Sequence, residues 1–302
     1  MNRQRDAFVE VPHSKQIVSR LNQAVRNCEI LPIIGSPGSG KDRFLDWWWQ
    51  VACHDSKLSS GNVVHSEDIV CIQAQTVPSK SVPMTSVIFT KLLAALGDLE
   101  LALSQHRQPR RPDRIRTWIT DRQVLSLIYE HVHPLFEQLR PQAVVITNAH
   151  LLDKQTIELL LELRRPTRRG YSLIPRCALI LCAQTPLGND TDSQWSKLLN
   201  TISETRAAWP NHLQYNTLTV NEFGIVMLTI VEENLNAKFA SGLDPQTTLQ
   251  LFGKWTHANW WLIEQLIIKL DTALGSMQQG KPRLVTQAVV EQVQKVWLER
   301  SQ

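Results

Sequence analysis

Ile30-Leu31-Pro32-Ile33-Ile34-Gly35-Ser36-Pro37-Gly38-Ser39-Gly40-Lys41-Asp42 is the stretch that decides the fold of this chain. The apolar run 30–34 stops at glycine, as a buried strand does where it gives way to a turn. Pro32 counts against a strand, because proline donates no hydrogen bond to a sheet ladder. Residues 35–42, GSPGSGKD, fit the phosphate-loop pattern G-x-x-x-x-G-K-S/T at every position except the last. Glycines at 35, 38 and 40 let backbone N–H groups turn inward around phosphate oxygens. A helix expected over Lys41 to Cys53 adds its positive N-terminal end, and Lys41 is placed to reach the outer phosphates. Gly35, Ser36, Pro37, Gly38, Ser39, Gly40, Lys41 and Asp42 are thus the candidate nucleotide-binding residues. The competing reading is a vestigial loop that keeps its shape and binds nothing.

The remaining parts of such a site are altered. Asp42 stands where a hydroxyl ordinarily ligates Mg²⁺, and brings negative charge close to phosphate. Ala143-Val144-Val145-Ile146-Thr147-Asn148-Ala149-His150 reads as a strand whose end carries Thr147 and Asn148 in place of an acidic pair. Two accounts are open for the metal. Either Asp42 holds Mg²⁺ with Thr147 supporting it, the hydroxyl and carboxylate having exchanged places, or both positions drifted after the metal was lost. Asn148 can hydrogen-bond a water but cannot take its proton, and general-base work is worth about 10²–10⁴-fold. Hydrolysis is therefore expected to be very slow. His150 is a substitute base only if its geometry allows, and a structural role suits it better.

Around the loop the chain alternates strand and helix. Helices are expected at 8–27, about 84–97, 120–139 and 154–165, and strands at 68–73, 143–146, 177–182 and 213–218. That order implies a mainly parallel sheet covered on both faces. After residue 219 the pattern becomes all-helical, with helices expected at 220–236, 245–254, 258–275 and 286–300 and no strand among them. The division is an α/β nucleotide-binding domain over 1–218 and a helical lid over 219–302. Trp47, Trp48 and Trp49 follow one another on a helix, so they cannot all face one core. Trp255, Trp260 and Trp261 read as core and interface packing in the lid.

Bulk properties narrow the class. No run of about 18 apolar residues occurs, so no membrane span is expected. The first residues lack the apolar stretch of a secretory signal. Five scattered cysteines without metal spacing read as reduced thiols of a cytoplasmic protein. The net charge is only +4, yet arginines gather in two places. Arg107, Arg110, Arg111, Arg114 and Arg116 lie in a proline-containing loop, and Arg164, Arg165, Arg168, Arg169 and Arg176 follow later. Both clusters suit contact with a polyanion such as DNA, against the plainer reading of solvated loops.

These segments resemble the AAA+ regulators of DNA transposition, the TnsC, TniB and MuB group. FVEVPHSKQIVSRLNQAVRNCEILPIIGSPGSGKD is similar to the family's lead-in helix, first strand and phosphate loop. IVCIQAQTVPSKSVPMTSVIFTKLLAALG, AVVITNAHLL and ALILCAQTPL resemble the strands that follow, and the helical tail resembles the lid. The resemblance implies an AAA+ P-loop NTPase-like sheet domain with a small all-helical C-terminal lid. It also implies ATP with Mg²⁺, a polar residue near the γ-phosphate filled by Gln184 or Thr185, and an arginine reaching a neighbouring subunit, matched by Arg206. The lid lacks the family's Gly-Arg pair and carries Trp260 and Trp261 there. Implied partners are double-stranded DNA, further copies of the chain in a ring or filament, a transposase and a target-selection protein. A catalytically complete AAA+ subunit is a further candidate partner. The family's DNA contacts fall on the stretch holding Arg107, Arg110, Arg111, Arg114 and Arg116, with Arg168 and Arg169 as further candidates. Replication initiation or loading is the alternative AAA+ role on DNA.

Overall fold

Strand β1 (Ile30–Gly35) is buried along its whole length, and it is flanked on both sides. In the computed structural model it pairs in parallel with β4 (Ala178–Gln184) and with β5 (Leu213–Tyr215). The structure describes residues 9, 11–49, 69–75, 83–103, 126, 128–162, 164, 177–184, 200, 212–277 and 283–298. Pro32 is tolerated in this central strand because β5 joins only from Ile33 onward. Strands β2 (Ile69–Gln73) and β3 (Ala143–Thr147) complete a five-stranded parallel sheet in the order β2-β3-β4-β1-β5.

Side chains alternate across the sheet as the pleat requires. Val70 and Ile72, Val144 and Ile146, and Leu179 and Leu181 enter one core cluster. That cluster also takes Ile88, Phe89, Leu92 and Leu96 from α3 (Met84–Leu103), Phe136 from α4 (His133–Leu139), and Ile157, Leu160 and Leu161 from α5 (Lys154–Glu162). The alternate residues Leu31, Ile33, Val145, Ile180 and Cys182 are buried as well, so both faces are covered. The helix α1 (Pro12–Arg26) precedes β1, and α2 (Lys41–Trp47) follows the glycine-rich loop. Trp48 is fully buried and its indole N–H donates to Asn22 Oδ1 at 3.0 Å. Trp47 and Trp49 are half-buried, as three consecutive residues on a turning backbone must diverge.

The C-terminal part contains α6 (Val220–Thr229), α7 (Pro245–Thr256), α8 (Trp260–Met277) and α9 (Gln287–Leu298) around a second core that includes Phe252, Ile263, Leu266, Leu270 and Val289. Thr219 caps α6 in a reciprocal capping box with Glu222, and Asp244 caps α7 ahead of Pro245. Contrary to the all-helical expectation, Lys238–Phe239 and Leu284–Val285 form a short parallel pair, β6 and β7. Helix α6 also ends earlier than expected, passing into a π-helical turn over Ile230–Asn234. Two compact units emerge from the contacts. One holds the described residues of Met1–Lys15, Ser36–Phe44 and Asn216–Gln302, and the other those of Gln16–Gly35 and Leu45–Tyr215. The glycine-rich loop and the start of α2 thus belong with the C-terminal helices.

Candidate functional site

The loop after β1 takes the shape its glycines permit. Gly38 and Gly40 have φ of 73° and 91°, a region that side-chain-bearing residues rarely enter. Ser39 N–H donates to Ser36 O at 3.1 Å, and Phe44 N–H donates to Gly40 O at 2.9 Å as α2 begins. The Ser39 hydroxyl is buried without a hydrogen-bond partner. Lys41 is also buried, its side chain 3% exposed, and its ammonium faces the Asp42 carboxylate at 3.7 Å. A buried ammonium held by one loose contact to a half-exposed acid is poorly compensated. Backbone N–H groups of a glycine-rich loop, followed directly by a lysine, suit an anion. Asp42, in the first turn of α2, competes with any incoming anion for the same positive charge.

Within the same unit, the start of α8 lies against this loop. Asn259 caps α8, its Oδ1 accepting N–H from Trp261 at 3.0 Å and Leu262 at 3.4 Å. Trp260 N–H donates to Gly38 O at 2.7 Å. A Cβ on Gly38 would stand 2.2 Å from Asn259 Nδ2, and one on Gly40 would stand 2.0 Å from Trp260 Cδ1. The two glycines therefore serve close approach as well as backbone conformation. Arg43 pairs with Glu264 at 2.5 Å, and its guanidinium lies 5.4 Å from the centre of the Trp260 ring. The turn that delivers these residues is strained: His257 and Ala258 have φ of 49° and 53°. Left-handed backbone costs roughly 1–2 kcal/mol for such residues.

The strand ends of the sheet carry the other candidates. Thr147, the last residue of β3, is half-buried and its carbonyl accepts Ala74 N–H at 2.9 Å. Asn148 is left-handed, with φ 55° and ψ 32°, and opens a 3₁₀ turn over Ala149–Leu151. Asparagine adopts this conformation more readily than glutamate. Asn148→Glu is therefore expected to lower stability by roughly 1 kcal/mol, and Asn148→Gly to leave it unchanged or higher. Thermal melting of the two variants checks this. Gln184 ends β4, and its N–H donates to His150 Nδ1 at 3.3 Å. That bond uses one imidazole nitrogen as a structural acceptor.

Thr185, Arg206, Arg107, Arg110, Arg111, Arg114, Arg116, Arg168 and Arg169 lie outside the described residues. Arg164, from the second arginine cluster, has a structural task. Its Nη2 donates to Cys28 O at 2.6 Å and to Cys177 O at 2.7 Å. The Cys71 and Cys177 thiols are pushed up to about 11, in each case chiefly by burial. Both stay protonated near neutrality and are poor nucleophiles. Among the described residues no group of three or more His, Cys, Asp or Glu side chains gathers as a metal site. No helix of the described residues is long and apolar enough to cross a membrane.

Sequence reasoning missed what Asn259 and Trp260 do. An asparagine directly before the apolar run WWLI signals a helix cap, and would have moved the start of α8 from 258 to 260. Nothing local signals that Trp260 sits on Gly40, because the two are far apart in the chain.

No protein-family model matches the chain, and no curated protein matches it significantly in sequence. Solved structures do match in fold. The Walker-type ATPase PABY2304 of Pyrococcus abyssi superposes with a TM-score of 0.58 at 11% identity, covering 97% of this chain and 72% of that one. Cdc6p from Pyrobaculum aerophilum gives 0.52 at 14% identity, over 92% of this chain and 66% of that one. A point mutant of RuvB from Thermotoga maritima gives 0.50 at 14% identity, over 96% and 70%. The parallel five-stranded sheet followed by a largely helical C-terminal part is the AAA+ P-loop NTPase fold.

Proposed function

We propose that the chain is a nucleotide-binding assembly factor that acts on duplex DNA in transposition, holding ATP as a structural ligand and turning it over very slowly or not at all. The observation that carries this reading is the loop itself. Left-handed glycines at 38 and 40, the start of α2 and the buried ammonium of Lys41 are what a triphosphate needs. Fold similarity to a protein described as a Walker-type ATPase supports the same reading. Gly38, Ser39, Gly40 and Lys41 would hold the phosphates. Bound Mg²⁺ would further neutralise them, with Asp42 as the residue of the loop to hold it.

Slow turnover follows from Thr147 and Asn148 at the end of β3, which supply no carboxylate, and from the tie between His150 and Gln184. Action on DNA rests on the arginine-rich stretch 107–116 and on the resemblance to transposition regulators. In this reading ATP cements protomers into a ring or filament that links target selection to a transposase.

Sedimentation with duplex DNA, with and without ATP, tests the reading. Large assemblies are expected only when ATP is present, and equal assembly without ATP contradicts it. Replacing Arg110, Arg111 and Arg114 together by alanine is expected to weaken DNA binding. It should also flatten the log–log salt slope by roughly 2.7, at about 0.9 per lost phosphate contact. An unchanged slope places the charge contacts elsewhere.

A second reading, a scaffold that takes no nucleotide, is favoured by the Lys41–Asp42 ion pair, which already occupies the loop's cation. An unchanged melting temperature in saturating ATP would establish it.

A further inference from the structure

The indole of Trp260 is 4% exposed, yet its Nε1 is buried with no hydrogen-bond acceptor. Tryptophan N–H ordinarily finds a partner when buried. The ring atoms that meet Gly40 are Cδ1, Nε1 and Cγ, so the pyrrole edge, which carries the N–H, faces the phosphate loop. A second orphan lies one residue away. Ser39 is fully buried, and its hydroxyl also lacks a partner. Two unsatisfied polar groups therefore flank Gly40, the residue before Lys41, whose side chain is itself buried. Both can donate, and what this cluster lacks is an acceptor.

The indole is held in register from several directions. The backbone N–H of Trp260 donates to Gly38 O at 2.7 Å, and the Arg43 guanidinium lies over the ring while pairing with Glu264. The left-handed pair His257 and Ala258 is a local cost that these contacts over-determine. Strain and a donor without an acceptor thus coincide where the turn before α8 meets the phosphate loop.

We propose that Trp260 and Ser39 are direct phosphate contacts, the indole N–H and the hydroxyl each donating to a phosphate oxygen of the nucleotide cradled by Gly38–Lys41. This rests on the nucleotide-binding reading above and adds which lid residue recognises the ligand. A phosphate entering the loop lifts the pyrrole edge off Gly40 and gives its N–H the acceptor it lacks. A neutral donor on the lid then takes part in holding the anion, and leaves Lys41 as the cation at the phosphates. Arg43, engaged with Glu264 and the Trp260 ring, carries the indole and connects the loop to α8.

The test is calorimetric titration of MgATP into the full chain and two variants. Trp260→Phe keeps an aromatic ring beside Arg43 and removes the N–H together with the rest of the pyrrole edge. Ser39→Ala removes only the hydroxyl. Each variant is expected to bind MgATP about 10-fold more weakly; the melting temperature of the nucleotide-free protein should be unchanged in Ser39→Ala and lower in Trp260→Phe, which leaves a void in the core. If wild type binds MgATP and both variants bind equally well, the phosphate contacts are wrong while the nucleotide reading stands. If wild type does not bind, both fail. Tighter binding by Trp260→Phe would mean that the indole blocks the cradle, and would also overturn the proposal. Should Trp260→Phe fold poorly, Ser39→Ala decides alone, since a buried hydroxyl without a partner contributes little to the nucleotide-free fold.

Discussion

Lys41→Ala is expected to weaken ATP binding by about 10- to 100-fold and to abolish ATP-dependent assembly on DNA. The lysine is the cation of the loop, its side chain 3% exposed. Charge-assisted hydrogen bonds contribute roughly 1.5–3 kcal/mol, and each 1.4 kcal/mol is about tenfold in affinity. The nucleotide-free protein should respond differently. A buried ammonium with one loose ionic contact is poorly compensated, so its removal costs little folding stability and can raise it. Melting curves separate the two effects. Wild type should melt several degrees higher in saturating ATP, because a ligand that binds only the folded state stabilises it by mass action. The variant should show no such shift. If Lys41→Ala assembles on DNA as wild type does, the loop is vestigial.

Gly40→Ala is the substitution expected to damage the fold most. At φ 91° the alanine would be strained, and its Cβ would stand 2.0 Å from Trp260 Cδ1 and 2.2 Å from Nε1. The obstructing group is a ring, 4% exposed, with its backbone bonded to Gly38, and cannot swing away as a flexible side-chain tip would. Backbone strain of roughly 1–2 kcal/mol adds to overpacking of about 1–3 kcal/mol. A loss of about 2–5 kcal/mol is expected by denaturant unfolding. Measured in a Trp260→Ala background, whose own cavity lowers stability, Gly40→Ala should cost less than in wild type, the packing part being recovered and the backbone part kept. No recovery would mean that the contact between loop and indole carries no energy.

Much of the architecture could be read from local pattern. The run ILPIIG announces β1 because five apolar residues end on a glycine, and the Pro32 objection dissolves once β5 is seen to start at Ile33. The caps at Thr219 and Asp244 follow from their own chemistry. What escaped depends on partners distant in sequence. Two-residue strands such as Lys238–Phe239 and Leu284–Val285 carry no periodicity. The π-helical turns at Ile128–Val132 and Ile230–Asn234 interrupt runs whose apolar spacing still reads as one helix.

The candidate site was legible by composition and opaque in its contacts. GSPGSGKD gives the loop, and Thr147 and Asn148 show the missing acids. The sequence does not show that Asn148 suits a left-handed turn, so that its identity has a backbone reason beside any catalytic one. Nor does it show that the lid meets the loop through Asn259 and Trp260, since that contact exists only in the folded chain.

The most direct test is a cryo-EM map of the protein on duplex DNA in saturating ATP. A triphosphate is expected over Gly38–Lys41, with the Trp260 indole lifted from Gly40 and protomers joined. Joined protomers around a loop still closed beneath Trp260, with no nucleotide in it, would contradict the account.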